Sequence, residues 1–509
     1  MQLSRRTILT VPVLVALGAV AACEDQPPVT GASPTASPTP GQTASTTITN
    51  IELTLNVGPL IRVDQTTTVL PLRVTGDSTA SGADQLRPGQ LLVGDAVSDL
   101  ANCRPLRLID TAGGRLWSTT STRTEFPTLA ESGEQDLHAT FGAVDVDTVT
   151  VFLSRTAFVE VPVVNEAPDI DIDLTAVVED SAPNTALAEP VVLERYTEAI
   201  DGSSSSLTTE ESTTVDVASD VTFDVDSAEL NAGAETALTG ISQTISQYEG
   251  GSLSITGHTD DIADDAYNQD LSQRRAQAVA DRLGALTDLS AWEVTVSGKG
   301  ESEPRVPNDS DEARQVNRRV EIVITPTGGT NGEIGRSGSQ AALPDSTGPT
   351  ATGVKGVTVD APQTGFGQIQ VSLTEVKRRG TLLLGELTVT GGTGGSFTPL
   401  GTGWLDDPGS VLANARGELG GATTVFAANG LTLLAGSDRV FPVDYLLPGT
   451  SAHRALTELE LIEPLPQDEK ATVLVVWPDT GETTLILDHD AGGLLSYPFR
   501  LTDIPVTED

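Results

Sequence analysis

The chain has 509 residues, of which 71 are acidic, 29 are basic and only 4% are aromatic, so its formal net charge at neutral pH is −42. This length exceeds what one hydrophobic core normally serves and suggests about three domains. The acidity argues against nucleic acid as a partner, because neutralising phosphates requires clusters of Lys and Arg.

The N-terminus predicts export. Arg5 and Arg6 precede an apolar run from Ile8 to Ala22, which is too short for a comfortable membrane span and fits a secretory signal peptide (residues 1–22) better. The sequence Val-Ala-Ala-Cys ending at Cys23 resembles a bacterial lipobox, which implies cleavage before Cys23 and lipidation of its thiol. The alternative is an ordinary cleaved signal in which Cys23 has no special role. More than one acyl chain, as such lipoproteins carry, makes membrane anchoring stable.

Residues 23–46 are rich in Pro, Thr, Ser and Gly, which predicts an extended, flexible tether. Residues 47–166 then alternate apolar and polar side chains with a period of two, as antiparallel strands do. The clearest alternating sets are Leu53/Leu55/Val57, Leu70/Leu72/Val74, Val149/Val151/Leu153 and Val159/Val161/Val163. This stretch predicts a first β-sandwich domain, immunoglobulin-like in outline. Residues 167–210 are acidic and rich in Ser and Thr, which predicts a linker.

Residues 211–327 change period and predict an α/β domain. We expect strands at 221–225, 252–257, 292–297 and 319–325, one helix after the N-cap Asn231 and another at 268–284. The resulting β-α-β-α-β-β order is that of a two-layer α/β sandwich with both helices on one face of the sheet.

Several sequence blocks follow one another in this central stretch. They read ITGHTD at 255–260, YNQDLSQRRA at 267–276, GKGESEP at 298–304 and NRRVE at 317–321. In this order and spacing they resemble the OmpA-like peptidoglycan-binding domain, whose pattern is GHTD, YN..LS..RA, a G.G...P turn and NRRVE. The resemblance covers residues 211–327, about a quarter of the chain. It implies noncovalent binding of peptidoglycan through the diaminopimelate side chain of the stem peptide.

Diaminopimelate ends in a carboxylate and an ammonium group. Its recognition needs an anion and a cation held a few ångströms apart, ideally an Arg, whose planar fork grips carboxylates bidentately. The resemblance implies that Asp260 binds the ammonium and Arg275 the carboxylate, with help from Arg318. Every Lys and Arg of residues 215–326 follows Ser272, so this acidic domain offers a few placed cations rather than a basic surface. Three further side chains are implied to line the same groove: Thr259, Asn268 and Leu271.

Each of these residues also has a simpler interpretation. Asp260 could end a strand or cap a turn, Asn268 could be the N-cap of its helix, and Arg275 could be a solvated helix charge like Arg274. The acidic run that begins at Asp260 is suggestive of a calcium loop, although it lacks the glycine and the terminal Glu of an EF-hand. One position departs from the family pattern. Ala263 stands where the family usually has Gly, which affects the loop conformation rather than the pairing residues.

The remaining sequence predicts another linker and another β-domain. Residues 328–352 are rich in Gly, Ser, Thr and Pro. Residues 353–507 again alternate with a period of two and predict a second immunoglobulin-like β-sandwich. The segment LIRVDQTTTVLPLRVTGDS at 60–78 parallels LTEVKRRGTLLLGELTVTGGT at 373–393. This parallel suggests that the two β-domains are distant duplicates.

No catalytic constellation stands out in the sequence. There is no GxSxG elbow and no P-loop. Lipidation of Cys23 would leave Cys103 without a partner, so no disulfide framework is expected. Four His residues lie far apart and lack the spacing of zinc ligands: His138, His258, His453 and His489. We therefore expect no enzyme, no bound metal and no cofactor.

Together these patterns predict an exported lipoprotein of the bacterial cell envelope that faces the wall and tethers a membrane to it. Its predicted partners are peptidoglycan with a diaminopimelate-type stem and, through lipidated Cys23, a membrane. The alternative is an adhesion or binding protein whose β-sandwiches bind a polysaccharide or an envelope protein, with the central domain as a wall anchor. An envelope enzyme is a further, less favoured alternative.

Overall fold

The computed structural model describes residues 42–48, 50–93, 104–123, 125–167, 172–224, 226–330, 332–335, 337, 341–361, 367–393, 405, 427–448, 453–458, 465, 467–490 and 497–508. Residues Pro40–Asp509 form one compact unit. The predicted signal peptide, Cys23, the tether up to residue 41 and Cys103 lie outside the described residues. Within those ranges, none of the helices combines the length and the hydropathy that crossing a bilayer demands.

The first β-rich region, here called the N-terminal module (42–164), is built from β1 (Gln42–Ile48), β2 (Ile51–Val57), β3 (Leu60–Arg62), β4 (Thr68–Gly76), the short helix α1 (Gln90–Val93), β5 (Arg107–Asp110), β6 (Arg115–Ser118), β7 (Glu134–Phe141), β8 (Thr148–Leu153) and β9 (Ala157–Val164). Neighbouring strands pair in the order β1-β2-β4-β3-β9-β8-β5-β6, and β7 pairs with β4. The predicted alternation decides which side chains enter the core. In β2, Leu53, Leu55 and Val57 are buried, and they pack in one cluster with side chains from β4, β8 and β9.

Residues 167–210, predicted to be a linker, are folded where the structure describes them. They form α2 (Leu174–Ser181), a 3-10 turn (Thr185–Leu187), β10 (Val191–Val192), β11 (Arg195–Ala199) and β12 (Ser204–Thr208). Strand β10 extends the N-terminal module by pairing with β6, and β12 pairs with β11. The linker prediction was wrong because hydroxyl side chains can be buried in a β-ladder, as Ser204, Ser206 and Thr208 are.

The central domain follows in the order β13 (Thr213–Ala218), α3 (Ser219–Thr222), α4 (Ala232–Ile245), β14 (Gly251–His258), α5 (Asp265–Leu286), β15 (Trp292–Gly300), α6 (Asp311–Asn317) and β16 (Arg319–Pro326). The strands pair in the order β15-β14-β16-β13-β12-β11. Helices α4 and α5 bury their apolar side chains in one cluster with Leu253, Ile255 and Ile322 of the sheet. The predicted α/β domain, with both helices on one sheet face, is therefore confirmed.

One local prediction in this domain was wrong, and one alternative interpretation does not hold. Residues 221–225 were expected to form the first strand, but β13 ends at Ala218 and the next turn is helical. Because β13 already pairs with β16 from Thr213 to Ala218, the chain leaves the sheet there, and the Thr222 hydroxyl closes the turn by donating to the Ala218 carbonyl at 2.6 Å. The N-cap of α5 is Asp264 and not Asn268, since the Asp264 carboxylate accepts the N–H of Tyr267.

The C-terminal module (350–508) follows the second predicted linker. The last three residues of that linker, 350–352, form the first strand of the module. Its strands are β17 (Thr350–Thr352), β18 (Val357–Ala361), β19 (Gly367–Ser372), β20 (Val376–Arg379), β21 (Leu382–Gly391), β22 (Thr432–Ala435), β23 (Asp438–Val440), β24 (Asp444–Leu446), β25 (His453–Ala455), β26 (Lys470–Pro478), β27 (Thr484–His489) and β28 (Phe499–Glu508). They pair in the order β18-β19-β21-β20-β28-β27-β22-β23, and β26 pairs with β21. This is the pairing order of the N-terminal module, strand for strand. It supports the duplication predicted from residues 60–78 and 373–393, which form the equivalent hairpins β3–β4 and β20–β21.

Two kinds of contact join the modules and the central domain. Strand β11 pairs with β23, so the central sheet continues into the sheet of the C-terminal module. The outer faces of the two modules also share one apolar cluster, which includes Ile109, Leu116 and Phe152 on one side and Leu382, Leu384, Leu474 and Val476 on the other. The central sheet is therefore joined to the C-terminal module by strand pairing, and the two modules are joined to each other by the apolar cluster. An immunoglobulin-like assignment of the modules stays a prediction.

Candidate ligand-binding site

The predicted site residues meet at one end of the central sheet. Thr259 and Asp260 follow β14 directly, Arg275 lies halfway along α5, and Arg318 separates α6 from β16. Strands β14 and β16 are antiparallel with Gly257 opposite Val320, so the end of β14 lies beside the start of β16. This register places Asp260 within reach of Arg318.

Arg318 binds two carboxylates at once. Its Nε and Nη2 atoms contact the two carboxylate oxygens of Asp220 at 2.8 and 2.6 Å, a bidentate pair. Its Nη1 contacts a single oxygen of Asp260, Oδ2, at 2.6 Å. The other oxygen, Oδ1, accepts a long hydrogen bond of 3.3 Å from the backbone N–H of Ile262. The hydrogen bonds to both carboxylates, that of Asp220 first, raise the pKa of Arg318 above its usual range.

Arg275 is 94% buried, with 6% of its surface exposed. Its Nε donates to the carbonyl of Ser227 at 2.9 Å, and its guanidinium lies 5.1 Å from the centre of the Phe223 ring. Its two terminal amino groups have no hydrogen-bond partner among the described residues. Burial lowers the pKa of Arg275, the carboxylate of Asp220 opposes that shift, and Arg318 adds to it. The two terminal amino groups of Arg275 therefore remain unused donors within the described part of the chain.

The other predicted residues support this arrangement. The side-chain amide of Asn268 lies 3.1 Å from the carbonyl of Asp260 and 2.6 Å from a carboxylate oxygen of Glu301. It fixes the loop after β14, so its donors serve the protein rather than a ligand. Leu271 lies one helical turn before Arg275 and is buried. Thr259 is also buried, and its hydroxyl has no hydrogen-bond partner in the described part of the chain.

The simpler interpretations divide between neighbouring residues. The solvated helix charge is Arg274, whose side chain is 47% exposed and contacts Asp270 at 2.8 Å, whereas Arg275 is buried. The run that begins at Asp260 is not a cluster of free acids, because Asp261 is paired with Arg314 at 2.9 Å. Across the ranges that the structure describes, no group of three or more His, Cys, Asp or Glu residues could hold a metal ion.

Sequence reasoning missed three contributors to the site: Asp220, Phe223 and the carbonyl of Ser227. All three lie in or beside residues 221–225, which the sequence predicted to be a strand. A strand at that place gave no reason to expect these groups in the site. One signal was present in the sequence. Two arginines brought into a partly buried groove need a counter-charge, and Asp220 supplies it.

His258 directly precedes Thr259 in extended chain, so the two side chains point to opposite faces of the sheet. It is 3% exposed, and neither ring nitrogen has a hydrogen-bond partner among the described residues. Burial lowers the pKa of His258 to about 4, and Arg319 and Arg305 add to that shift while Asp216 and Glu303 oppose it. The imidazole is therefore neutral near pH 7.

Comparisons with known proteins identify the domain that carries this site. The model of the OmpA family matches residues 222–318, so this part of the chain is an OmpA-family domain. Outer membrane porin F of Pseudomonas aeruginosa is 38% identical over 105 residues, which cover 21% of this chain and 30% of that protein. Probable lipoprotein YiaD of Escherichia coli (strain K12) is 34% identical over 106 residues, 21% of this chain and 48% of that protein. This chain thus spans less than half the length of either relative. Among solved structures, the cell wall anchor of the T6SS from Pseudomonas aeruginosa is 35% identical, covers 23% of this chain and 83% of its own, and gives a TM-score of 0.21.

Proposed function

We propose that the central domain binds peptidoglycan noncovalently and holds one diaminopimelate side chain between Asp260 and Arg275. The observation that carries this proposal is that the two terminal amino groups of Arg275 have no hydrogen-bond partner among the described residues, while Oδ1 of Asp260 accepts only one long hydrogen bond, from the N–H of Ile262 at 3.3 Å. A ligand with a carboxylate at one end and an ammonium group at the other complements both. A ligand without a carboxylate would give the terminal amino groups of the buried guanidinium a weaker hydrogen-bond acceptor. Membership of residues 222–318 in the OmpA family supports the same ligand.

In this proposal each side chain has one task. The terminal amino groups of Arg275 bind the ligand carboxylate, and the contact with Phe223 holds the plane of the guanidinium. Oδ1 of Asp260 accepts a hydrogen bond from the ammonium group of the ligand. Ile262 and Tyr267, which are 73% and 36% exposed, flank the groove and offer apolar contact to the aliphatic chain between the two charged ends.

We further propose that the chain is a membrane-anchored lipoprotein of the cell envelope. The lipobox at Cys23 and the Pro/Ser/Thr-rich tether that follows it support this proposal. So do the relatives of the central domain, which include an outer membrane porin and a probable lipoprotein. The wall-binding domain and a lipid anchor on one chain would tether a membrane to the wall.

The proposed role is binding without catalysis. The alternative of a polysaccharide-binding β-module predicts exposed aromatic side chains on the flanking modules. Over the described surface of those two modules, no Phe, Trp or Tyr side chain is exposed. The one exposed aromatic side chain of the described residues, Tyr267, belongs to the central domain.

Sedimentation with purified sacculi tests the proposal. The full chain carrying Cys23→Ser, so that it stays soluble, should sediment with diaminopimelate-containing sacculi. The same chain with Asp260→Ala and Arg275→Met should remain in the supernatant. Arg274→Ala is the matched control, because it removes a neighbouring Arg from the exposed side of α5, and it should sediment like the parent chain. Equal sedimentation of the parent and the Asp260→Ala/Arg275→Met chain would refute the assignment.

A further inference from the structure

We propose that Asp220 is a positioning residue of this site. It holds Arg318 so that Asp260 keeps one carboxylate oxygen for the ammonium group of the ligand. Asp220 lies just outside the segment that matches the OmpA family, residues 222–318, and 98 residues away from Arg318 in sequence. The inference rests on the proposed function.

The geometry around Arg318 is unequal. The fork formed by its Nε and Nη2 atoms is occupied by Asp220, and only Nη1 reaches Asp260. A bidentate pair fixes the orientation of the guanidinium plane, which a single contact does not. The side chain of Asp260 is 12% exposed, against 39% for Asp220. The more exposed Asp220 therefore occupies the Nε and Nη2 atoms of Arg318, and the more buried carboxylate of Asp260 keeps one oxygen that Arg318 does not contact.

Without the charge of Asp220, Arg318 has one remaining carboxylate in contact. Its planar fork would turn onto Asp260 and cover both oxygens. The ammonium group of a ligand would then have to displace a bidentate guanidinium from a mostly buried carboxylate, where charge pairs are stronger than in water. Loss of Asp220 therefore weakens recognition of the ammonium group, although Asp220 itself need not touch the ligand.

The charge balance gives the same result. The carboxylate of Asp220 raises the pKa of Arg275, and Arg318 lowers it, so the three groups sense one another. The carboxylates of Asp220 and Asp260 offset the guanidiniums of Arg275 and Arg318, Asp226 adds a further negative charge near Arg275, and a zwitterionic ligand leaves the net charge unchanged. Neutralising Asp220 makes the site one charge more positive, which disfavours the ammonium end of the ligand and not its carboxylate end.

Calorimetric titration of the full chain, carrying Cys23→Ser, with two muropeptide ligands tests this proposal. One ligand has the free amino group of diaminopimelate, and in the other that group is N-acetylated. Asp220→Asn should weaken binding of the free-amine ligand about 10- to 100-fold and leave the weaker binding of the acetylated ligand nearly unchanged. Asp261→Asn is the matched control, because Asp261 is an exposed Arg-paired carboxylate next to Asp260 in the loop after β14, and it should bind like the parent.

The decisive variant combines Asp220→Asn with Arg318→Met. Removing Arg318, which is expected to turn onto Asp260 in the Asp220→Asn chain, should restore binding of the free-amine ligand to within about 5-fold of the parent. A merely structural role of Asp220 would not give this rescue. Arg318→Lys in the same background is a second route, because an ammonium group has no fork to cover both oxygens. Failure of the parent to bind either ligand would refute the proposed function and this inference with it. If the parent binds, parent-like binding by Asp220→Asn, or no rescue by either double variant, overturns the inference alone.

Discussion

Removal of either charged partner of the ligand should nearly abolish muropeptide binding. In the Arg275→Met chain the side chain still covers Phe223 but no longer carries a guanidinium, so the ligand carboxylate would lie without a partner beside a residue that is 94% buried. Losing one partner of a desolvated charged pair costs about 2–5 kcal/mol, roughly 30-fold to several thousand-fold in affinity. Asp260→Ala should have an effect of the same size, because it leaves the ammonium group unpaired.

The two substitutions should not be additive. Both act on one ligand group, so the double variant should bind little worse than either single variant. Both residues are more than nine-tenths buried, whereas the sequence predicted that they face a groove and not the core. The protein itself loses little, since Arg275 gives up one hydrogen bond to Ser227 and Arg318 keeps its pair with Asp220 when Asp260 is removed. Unfolding temperatures close to that of the parent are therefore expected.

The assay is calorimetric titration with a defined diaminopimelate muropeptide, with circular dichroism as the folding control. Arg274→Ala should bind almost normally, because that side chain is half exposed and paired with Asp270 on the helix surface. Loss of binding by folded Arg274→Ala with retention by Arg275→Met would show that the wrong arginine had been assigned. If the double variant loses affinity by the product of the two single fold-losses, the claim that both residues act on one ligand group is refuted.

Three other predictions concern the anchor, the domain and the buried histidine. Cys23→Ser should release the protein from the membrane fraction into the soluble fraction on cell fractionation, and firm retention would place the anchor elsewhere. A fragment of residues 203–330, which keeps β12 as the partner of β13, should sediment with sacculi like the whole chain, and equal sedimentation of a chain that lacks 211–327 would contradict the site. The pKa of His258 is lowered to about 4, so the folded state takes up a proton less readily than the unfolded state. The contribution of His258 to the free energy of unfolding is therefore fully present above about pH 6.5. It is lost as the pH falls towards 4, by at most about 3 kcal/mol. Unfolding temperatures between pH 7.5 and 4.5 should therefore depend less on pH in His258→Gln than in the parent.

Much of this protein follows from local sequence. The period of two in Leu53, Leu55 and Val57 records which face of β2 enters a core, and it needs no knowledge of the neighbouring strands. The blocks around Asp260 and Arg275 likewise place both residues at the end of a strand and on the following helix. Those patterns are local because a side chain's face in a strand or helix is fixed by its spacing along the chain.

The tertiary structure decided the pairings between distant segments. The polar, Ser/Thr-rich composition of residues 167–210 predicted a linker. In the structure, β11 and β12 of this stretch instead join the central sheet to the C-terminal module. The fork of Arg318 is occupied by Asp220, 98 residues earlier in the chain, and this pairing determines how much of Asp260 a ligand can reach. Such contacts leave no periodic signal in the sequence, because they depend on the register in which β13, β14 and β16 lie side by side.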